Sequence, residues 1–172
     1  RSVKTDHVRL DLAAVVKSAL LSLRPLLQSS AAELTSSDLD HPLPLIGDAE
    51  QLRIACGNLL SNGLEALQMV PPSQRRLLVK LESRDGQATL TVADSGSGLP
   101  QEQIEQMILA STKSDGMGLG LFIAQAIARN HGGDLLAYRS LELGGAELRL
   151  TLDVNGRDPD RHRATRTYKS NQ

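Results

Sequence analysis

The chain has 172 residues, a formal net charge of −1 at pH 7 and a hydrophobic content of 40%, which is ordinary for one globular domain. It contains one Phe, two Tyr and no Trp. This composition and charge argue against a protein that stacks on bases or neutralises a nucleic-acid backbone. The single cysteine, Cys56, excludes an internal disulfide and a cysteine metal cluster, and we expect it to be a buried apolar side chain.

No apolar run reaches the roughly 18 residues of a membrane-spanning helix, and no secretory signal opens the sequence. We therefore expect a cytoplasmic domain, whose parent protein can still be anchored in a membrane. Because the first residue is Arg1 rather than Met, we interpret the chain as a piece of a longer protein.

The first part of the chain alternates short strands with amphipathic helices. Asp11 can cap a helix whose apolar residues recur at three-and-four spacing. Asp48 and Gln51 stand in the manner of a capping box, and Pro71 follows the end of that second helix. The predicted elements are a strand over 8–10, a helix over 11–28, strands over 31–37 and 43–46, and a long helix over 48–69. The core stripe of the long helix is predicted to be Leu52, Ala55, Cys56, Leu59, Gly63 and Leu67.

The second part of the chain predicts two hairpins that flank a helix. Asp85-Gly86 is a strong hairpin signal, and Gly132-Gly133 is typical of a helix C-terminus. The predicted elements are strands over 77–84 and 87–94, a helix over 101–109, a loop over 110–117, a helix over 119–131, and strands over 134–140 and 146–154. We expect residues 1–154 to form one two-layer α/β (α+β) sandwich, with helices on one face of a mixed, mainly antiparallel sheet. Residues 155–172 are predicted to be a disordered polar tail or linker.

Two asparagines on the long helix are candidates for a functional role. Asn58 and Asn62 are four residues apart, so they share a helix face. Asparagine costs up to about 0.7 kcal/mol in a helix interior relative to alanine, which favours a purpose for two of them. An amide oxygen suits a hard cation such as Mg²⁺, whereas the alternative is an ordinary solvated helix face.

The sequence Asp94-Ser-Gly-Ser-Gly98 follows a predicted strand. A carboxylate at a strand end can accept a hydrogen bond from the amino group of adenine, and Gly96 and Gly98 allow backbone to approach a flat base. The alternative is a plain glycine turn.

The stretch from Ser111 to Leu121 is rich in glycine and leads into a helix, which leaves N–H groups for an anion. Lys113 can reach a terminal phosphate and Thr112 can donate a hydroxyl, so the segment can act as a lid over a nucleotide. The alternative is a flexible loop. The stretch matches neither GxxxxGK[ST] nor GxGxxG after a strand, so neither a P-loop nor a dinucleotide fold is supported.

These three motifs together resemble the N, G1 and G2 boxes of the sensor histidine kinase catalytic (HATPase_c) domain, of the GHKL ATPase superfamily. The resemblance covers about residues 8–154 and implies the Bergerat fold, with ATP held between the N-box helix and the lid. The matching sequences are Asn58-Leu-Leu-Ser-Asn62, Asp94-x-Gly96-x-Gly98 and Thr112-Lys113-x-x-Gly116-x-Gly118-Leu-Gly120-Leu121.

The resemblance implies ATP and Mg²⁺ as cofactors and assigns roles to residues. Asn62 is the implied Mg²⁺ ligand, Asn58 its catalytic polar partner near the phosphates, and Asp94 the adenine acceptor, with Gly96 and Gly98 beside the base. Lys113 is the second implied catalytic residue. The ATP-binding set at the phosphates and lid is Thr112, Lys113, Gly116, Met117, Gly118, Leu119, Gly120 and Leu121, the last at the start of the following helix.

The implied function is that of a two-component protein-histidine kinase. The domain would present the γ-phosphoryl group of ATP to a histidine on a separate dimerisation domain, with a response regulator downstream. The implied isolated domain is a monomer within a homodimeric parent, without nucleic-acid or direct membrane contact. None of the four histidines is followed by an acid on a long helix, so the acceptor is expected outside this chain; for His131, at a helix C-terminus, a cationic capping form is expected.

Three positions depart from the family pattern. No Phe occurs in 106–110, where the family has an F box, and Ala146 replaces a threonine after the last glycine pair, Gly144-Gly145. Asn58 stands where gyrase-like members carry a catalytic Glu, which favours phosphoryl transfer over ATP hydrolysis. Two alternatives stay open: a degenerate GHKL module that acts by nucleotide or partner binding, and an anti-sigma-type serine kinase.

Overall fold

The structure, a computed structural model, describes residues 7–98 and 119–156. Helices within these ranges are Leu12–Ser22 (α1), Arg24–Ser30 (α2), Ala49–Ala66 (α3) and Leu119–Asn130 (α4), with a short 3₁₀ turn at Pro72–Gln74. Strands are Val8–Asp11 (β1), Glu33–Ser37 (β2), Pro44–Gly47 (β3), Arg76–Arg84 (β4), Gln87–Asp94 (β5), Leu135–Arg139 (β6) and Ala146–Asp153 (β7).

The main sheet has five strands in the order β2-β4-β5-β7-β6. The pair β2–β4 is parallel and the other three pairs are antiparallel, which confirms the mixed, mainly antiparallel sheet. Strands β1 and β3 form a separate antiparallel pair, with Val8 opposite Gly47. The helices cover one face of the main sheet, so the predicted two-layer sandwich is confirmed.

Alternating side chains join the two layers. Leu77, Val79 and Leu81 of β4 are buried beneath the helices, whereas the residues between them lie on the open face. Asp85 and Gly86 both have positive φ, 52° and 78°, which is the geometry of a two-residue turn that matches strand twist. The predicted hairpin over Asp85-Gly86 is therefore confirmed.

Helix α3 lies at the centre of the helical layer. Its predicted core stripe is buried throughout, and Cys56 is fully buried, which raises the pKa of its thiol to about 12. The predicted capping box is only half correct. The carboxylate of Asp48 accepts from the backbone N–H groups of Glu50 and Gln51, but the N–H of Asp48 donates to His131 instead of to the Gln51 side chain.

The helix predicted over 11–28 is wrong in its continuity. Helix α1 ends at Ser22 and α2 begins at Arg24, with Pro25 in its first turn. Proline has no N–H for the α-helical bond and its ring excludes the carbonyl four residues earlier, so the chain breaks before it. The strand predicted from 31 begins at Glu33, because Ala31 closes α2 in the left-handed conformation with φ 53°. Helix α3 ends at Ala66, three residues before the predicted end.

The predicted end of α4 is confirmed by its hydrogen bonds. Gly132, with φ 74°, donates to the carbonyl of Arg129, and Gly133 donates to the carbonyl of Ala128. These two bonds form a Schellman motif, which needs glycine at its left-handed position. The helix predicted over 101–109, the loop over 110–117 and the tail beyond Gly156 lie outside the described residues. Within the described ranges, no helix is long and apolar enough to cross a bilayer.

Candidate nucleotide-binding site

Asp94, the last residue of β5, is a nearly buried carboxylate with 3% of its surface exposed. Its Oδ1 accepts from the backbone N–H of Gly96 at 2.8 Å and of Ala146 at 3.3 Å. Burial raises the pKa of Asp94, and these two hydrogen bonds act in the opposite direction. Both donors engage Oδ1 and hold the carboxylate in one orientation, and no described residue is seen to donate to Oδ2.

The turn after Asp94 packs against two other elements at backbone distance. A Cβ atom on Gly96 would lie 2.9 Å from the carbonyl oxygen of Ala66, at the end of α3. Gly98 has φ 66°, and a Cβ there would lie 2.9 Å from the carbonyl oxygen of Gly144. Both glycines are therefore required by close approach, and the turn joins α3 to the β6–β7 loop.

The β6–β7 loop belongs to this site, although the sequence reasoning did not place it among the site residues. The N–H of Gly145 donates to the carbonyl of Asp94 at 3.1 Å, and a Cβ on Gly145 would collide with both the side-chain and main-chain oxygens of Asp94. Ala146 contributes its backbone N–H to Asp94, which its side chain does not affect. The signal that could have found this loop is the Gly144-Gly145 pair, the last glycine pair of the family pattern.

Asn58 of α3 faces the first turn of α4. A Cβ on Gly120 would lie 3.0 Å from Oδ1 of Asn58, so glycine is needed for this approach. The amide nitrogen of Asn58 is buried and has no hydrogen-bond partner among the residues the structure describes. A buried N–H group without a partner is costly, and a ligand that accepts from it would remove that cost.

Asn62 lies one turn further along α3 and is partly exposed. Its neighbour Gly63 brings α3 close to the sheet, because a Cβ there would lie 2.6 Å from Leu77 and 4.0 Å from the Cβ of Asp94. Asn62 thus lies on α3 between Asn58 and Ala66, the two points at which the first turn of α4 and the Asp94 turn meet the helix.

The remaining predicted residues divide into two groups. In α4, Leu119 is exposed, whereas Leu121 is buried in the core. Thr112, Lys113, Gly116, Met117 and Gly118 lie outside the described residues.

The described site residues form a line along α3. The Asp94 turn meets α3 at Ala66, and the first turn of α4 meets it at Asn58, a separation of about 12 Å along the helix. The hydrogen-bond acceptor at one end and the helix N-terminus at the other suit an elongated ligand that has a hydrogen-bond donor at one end and an anionic group at the other. Over residues 7–98 and 119–156, no cluster of three or more His, Cys, Asp or Glu side chains suits a metal ion.

A separate depression of about 1050 Å³ lies on the open face of the sheet. Charged side chains of β4 and β7, such as Lys80 and Arg149, line it, and none of the predicted site residues does. Despite its size, we do not assign this depression as the nucleotide site, because neither Asp94 nor the two asparagines of α3 line it.

Comparisons with known proteins identify the family of this chain. The family model described as "Histidine kinase-, DNA gyrase B-, and HSP90-like ATPase" matches residues 47–156. The sensor histidine kinase TmoS of Ectopseudomonas mendocina is 33% identical over 85% of this chain, which spans 15% of that protein. The C4-dicarboxylate transport sensor protein DctB of Pseudomonas aeruginosa is 32% identical over 88% of this chain, which spans 25% of that protein. The chain thus covers a quarter or less of the length of these relatives.

Solved structures of histidine kinase catalytic domains share the fold of this chain. The mycobacterial sensor histidine kinase MprB superposes with a TM-score of 0.69 at 28% identity, over 88% of this chain and 99% of that one. The catalytic domain of the histidine kinase ThkA superposes with a TM-score of 0.74, and its 18% identity supports the fold alone. The chain belongs to the family of histidine kinase-, DNA gyrase B- and HSP90-like ATPases, and within it corresponds to the catalytic ATP-binding domain of sensor histidine kinases.

Proposed function

We propose that this domain binds Mg·ATP along α3 and presents the γ-phosphoryl group to a histidine on a separate dimerisation domain of the same kinase. The observation that carries the proposal is the placement of two buried groups at two points along one helix: the acceptor Asp94, and the donor Asn58, which has no partner among the described residues. Positioning and charge neutralisation are the main contributions expected of a protein to phosphoryl transfer.

At the base end, Asp94 accepts the hydrogen bond of the adenine amino group through Oδ2. The backbone of Gly96 and Gly98 lies beside the base, and Gly145 and Ala146 keep the carboxylate in place. An ionised carboxylate only accepts hydrogen bonds, so it selects a base whose facing edge carries an amino group as donor.

At the phosphate end, the residues fit a magnesium ion. Asn62 offers a neutral oxygen on a rigid helix, which suits a cation that takes its other ligands from phosphates and water. The buried amide nitrogen of Asn58, which has no partner in ranges 7–98 and 119–156, would donate to a phosphate oxygen. The bound ion would neutralise charge on the phosphates, and the first turn of α4 would direct its N–H groups at the same anion. For Lys113, a phosphate contact is supported by the sequence motif alone.

Transfer to another group is favoured over hydrolysis. Asn58 occupies the position one turn before Asn62, and an amide does not take up a proton to activate water. An exposed apolar strip lies beside this end of the site: Leu119 and Phe122 leave 56% and 40% of their surfaces exposed. A helix that carries the acceptor histidine would bury this strip while it approaches the phosphates.

For the whole protein, we propose a two-component sensor kinase that acts through a dimer and passes phosphate to a response regulator. In that protein residues 1–154 would be the cytoplasmic catalytic domain. Relatives that carry a comparable segment are sensor proteins of much greater length, which supports this assignment.

Calorimetric titration of the chain with ATP tests the proposal, with and without Mg²⁺. We expect binding that Mg²⁺ strengthens, and no binding at high ATP would contradict it. In the parent protein incubated with γ-labelled ATP, we expect acid-labile phosphate on histidine. Phosphate stable to acid on a serine would instead establish the serine-kinase alternative, and nucleotide binding without any transfer would establish the degenerate module.

The metal assignment is tested separately with Asn62→Asp. We expect this variant to bind ATP but to lose most phosphotransfer, because an added charge disturbs the metal and phosphates. Gln68→Glu makes the same charge change at an exposed position at the end of the same helix and is the matched control. Equal loss in both variants would remove Asn62 from the metal site.

A further inference from the structure

His131, at the C-terminus of α4, is fully buried and bonded through both ring nitrogens. Nδ1 lies 2.8 Å from the carbonyl oxygen of Ile127, and Nε2 lies 3.0 Å from the backbone nitrogen of Asp48. A carbonyl only accepts and a backbone N–H only donates. The proton must therefore be on Nδ1 and Nε2 must be bare, so the ring is the neutral Nδ1–H tautomer. The cationic form that the sequence suggested for His131 is therefore wrong, whereas its capping role is confirmed, because Nδ1–H donates to the carbonyl of Ile127 in the last turn of α4.

The Asp48 bond is a structural requirement of α3. The first N–H groups of a helix have no partner within the helix, and a capping box would pair the N–H of Asp48 with the Gln51 side chain. Here the oxygen Oε1 of Gln51 is buried without a partner among the described residues, and His131 takes the N–H instead. The ring also lies against the β3–α3 junction, since a Cβ on Gly47 would approach it to 2.8 Å.

Helices α3 and α4 pack against each other, and two of their contacts show their relative direction. At one end, Asp48 of α3 meets His131 after α4; at the other, Asn58 of α3 meets Gly120 of α4. The helices are therefore antiparallel, and the two contacts are about 15 Å apart along α3. A change in spacing at the His131 end tilts α3 against α4 and alters the contact between Asn58 and Gly120, where the phosphates are proposed to bind.

We infer that neutral His131 is a positioning residue for the nucleotide site, which holds the start of α3 against the end of α4 and releases it when the ring is protonated. The inference rests on the proposed function for its consequence at the site, but the contact itself does not. A protonated ring would direct Nε2–H at the N–H of Asp48 and place a positive charge at the positive end of the α3 dipole.

The surroundings of the ring favour the neutral form. Burial lowers the pKa of His131, the hydrogen bond to Ile127 opposes this, and the ring of His7, with its centroid 4.7 Å away, lowers it further. The charged and titratable groups around it are His7 before β1, the Asp48 carboxylate of α3, Asp153 of β7, whose N–H donates to the His131 carbonyl, and the Arg129–Asp134 pair at the end of α4. The Asp48 carboxylate favours the cation, but it is already engaged by two N–H groups at the start of α3.

Nuclear magnetic resonance on the unmodified chain without nucleotide tests the contact. We expect ¹⁵N shifts of the Nδ1–H tautomer at pH 7.5, and an Asp48 amide signal that titrates with the same midpoint as the His131 ring, below pH 6.5. An Nε2–H tautomer, or an Asp48 amide that does not follow the ring, would overturn the inference even if the protein binds no ATP.

Affinity for Mg·ATP between pH 5.5 and 8 tests the consequence at the site. For the unmodified chain we expect affinity to fall as the ring is protonated. His131→Gln should weaken binding about tenfold at pH 7.5, comparable to the loss of one hydrogen bond, and should remove this step. His41→Gln, in an exposed turn before β3, is the control and should keep the step.

Any pH effect of Asp94 persists in both variants, so the difference between them isolates His131. Circular dichroism at each pH establishes that the variants are folded. A folded His131→Gln with the affinity and the pH step of the unmodified chain would overturn the inference. If His131→Gln does not fold, the Asp48 amide of the unmodified chain decides the question: a signal that titrates with the ring supports the inference, and one that does not titrate overturns it.

Discussion

Asp94→Asn changes the proposed base contact with little change in shape. An asparagine oxygen can keep the bonds from Gly96 and Ala146, so the nitrogen takes the place of Oδ2. The variant then presents a donor to the amino group of adenine, which is itself a donor. The change thus removes one hydrogen bond, removes the charge and leaves the ligand amine without a partner.

The size of the effect follows from these terms. A hydrogen bond to a charged group contributes about 1.5–3 kcal/mol, and an unpaired buried donor costs about 1–3 kcal/mol. Together these amount to about 2.5–6 kcal/mol, or a dissociation constant that is roughly 60- to 20,000-fold larger at 1.4 kcal/mol per tenfold. The sum is an upper range, because water can enter the site and restore part of the loss.

The free energy of unfolding should move in the opposite direction or not at all. Burial raises the pKa of Asp94 in the folded state, so the ionised form at neutral pH destabilises the fold relative to the unfolded chain. Removing that charge is therefore neutral or stabilising. We expect weak ATP binding from a protein that melts at an equal or higher temperature, which separates a contact residue from a folding residue.

Calorimetry with Mg·ATP and thermal unfolding of the same samples measure both quantities. Asp85→Asn is the matched control, because its side chain is 89% exposed in the β4–β5 turn and its positive φ suits asparagine. The control should bind ATP like the unmodified chain. A folded Asp94→Asn that binds ATP within threefold of the unmodified chain would show that the carboxylate does not contact the base.

Three further predictions concern a glycine, an arginine and pH. Gly145→Ala should weaken ATP binding at least tenfold, because the added methyl group displaces Asp94, and calorimetric titration measures this loss. In Gly57→Ala the added Cβ would have no described atom within 4 Å, so this variant should stabilise helix α3 by about 0.5–1 kcal/mol, as measured by urea unfolding. Arg75 donates to three carbonyls at the ends of α2 and α3, so Arg75→Ala should lower the free energy of unfolding by about 1–2 kcal/mol, and Arg75→Lys should restore only part of it. Because the folded-state pKa of His131 lies below its ordinary 6.5, the unfolded chain binds more protons at acid pH, and urea unfolding should show stability falling below about pH 6.5.

Local patterns in the sequence predicted most of the elements and the family. The alternation of β4 and β5 and the Asp85-Gly86 turn need only neighbouring residues, and the structure has them as predicted. The core stripe of α3 followed from helical spacing for the same reason. The break at Pro25 was also encoded locally, but a strong apolar period across 12–27 outweighed it in the prediction.

Long-range contacts were beyond such patterns. The parallel pairing of β2 with β4 and the separate β1–β3 pair depend on where distant segments pack, which no local period reports. The motifs identified Asp94 and the two asparagines as candidates, but only the fold shows Asn58 against Gly120 and the Asp94 turn against the end of α3.

The two ends of α3 separate what the sequence determines locally from what only the tertiary structure decides. The sequence by itself determined a helix that begins after Asp48, because an N-cap side chain bonds to its own first turn. Only the tertiary structure decided that His131, 83 residues away, accepts the N–H of Asp48, and that Gly145 and Ala146 hold Asp94. The physical reason is that a buried donor or acceptor requires a partner but does not specify which part of the chain supplies it.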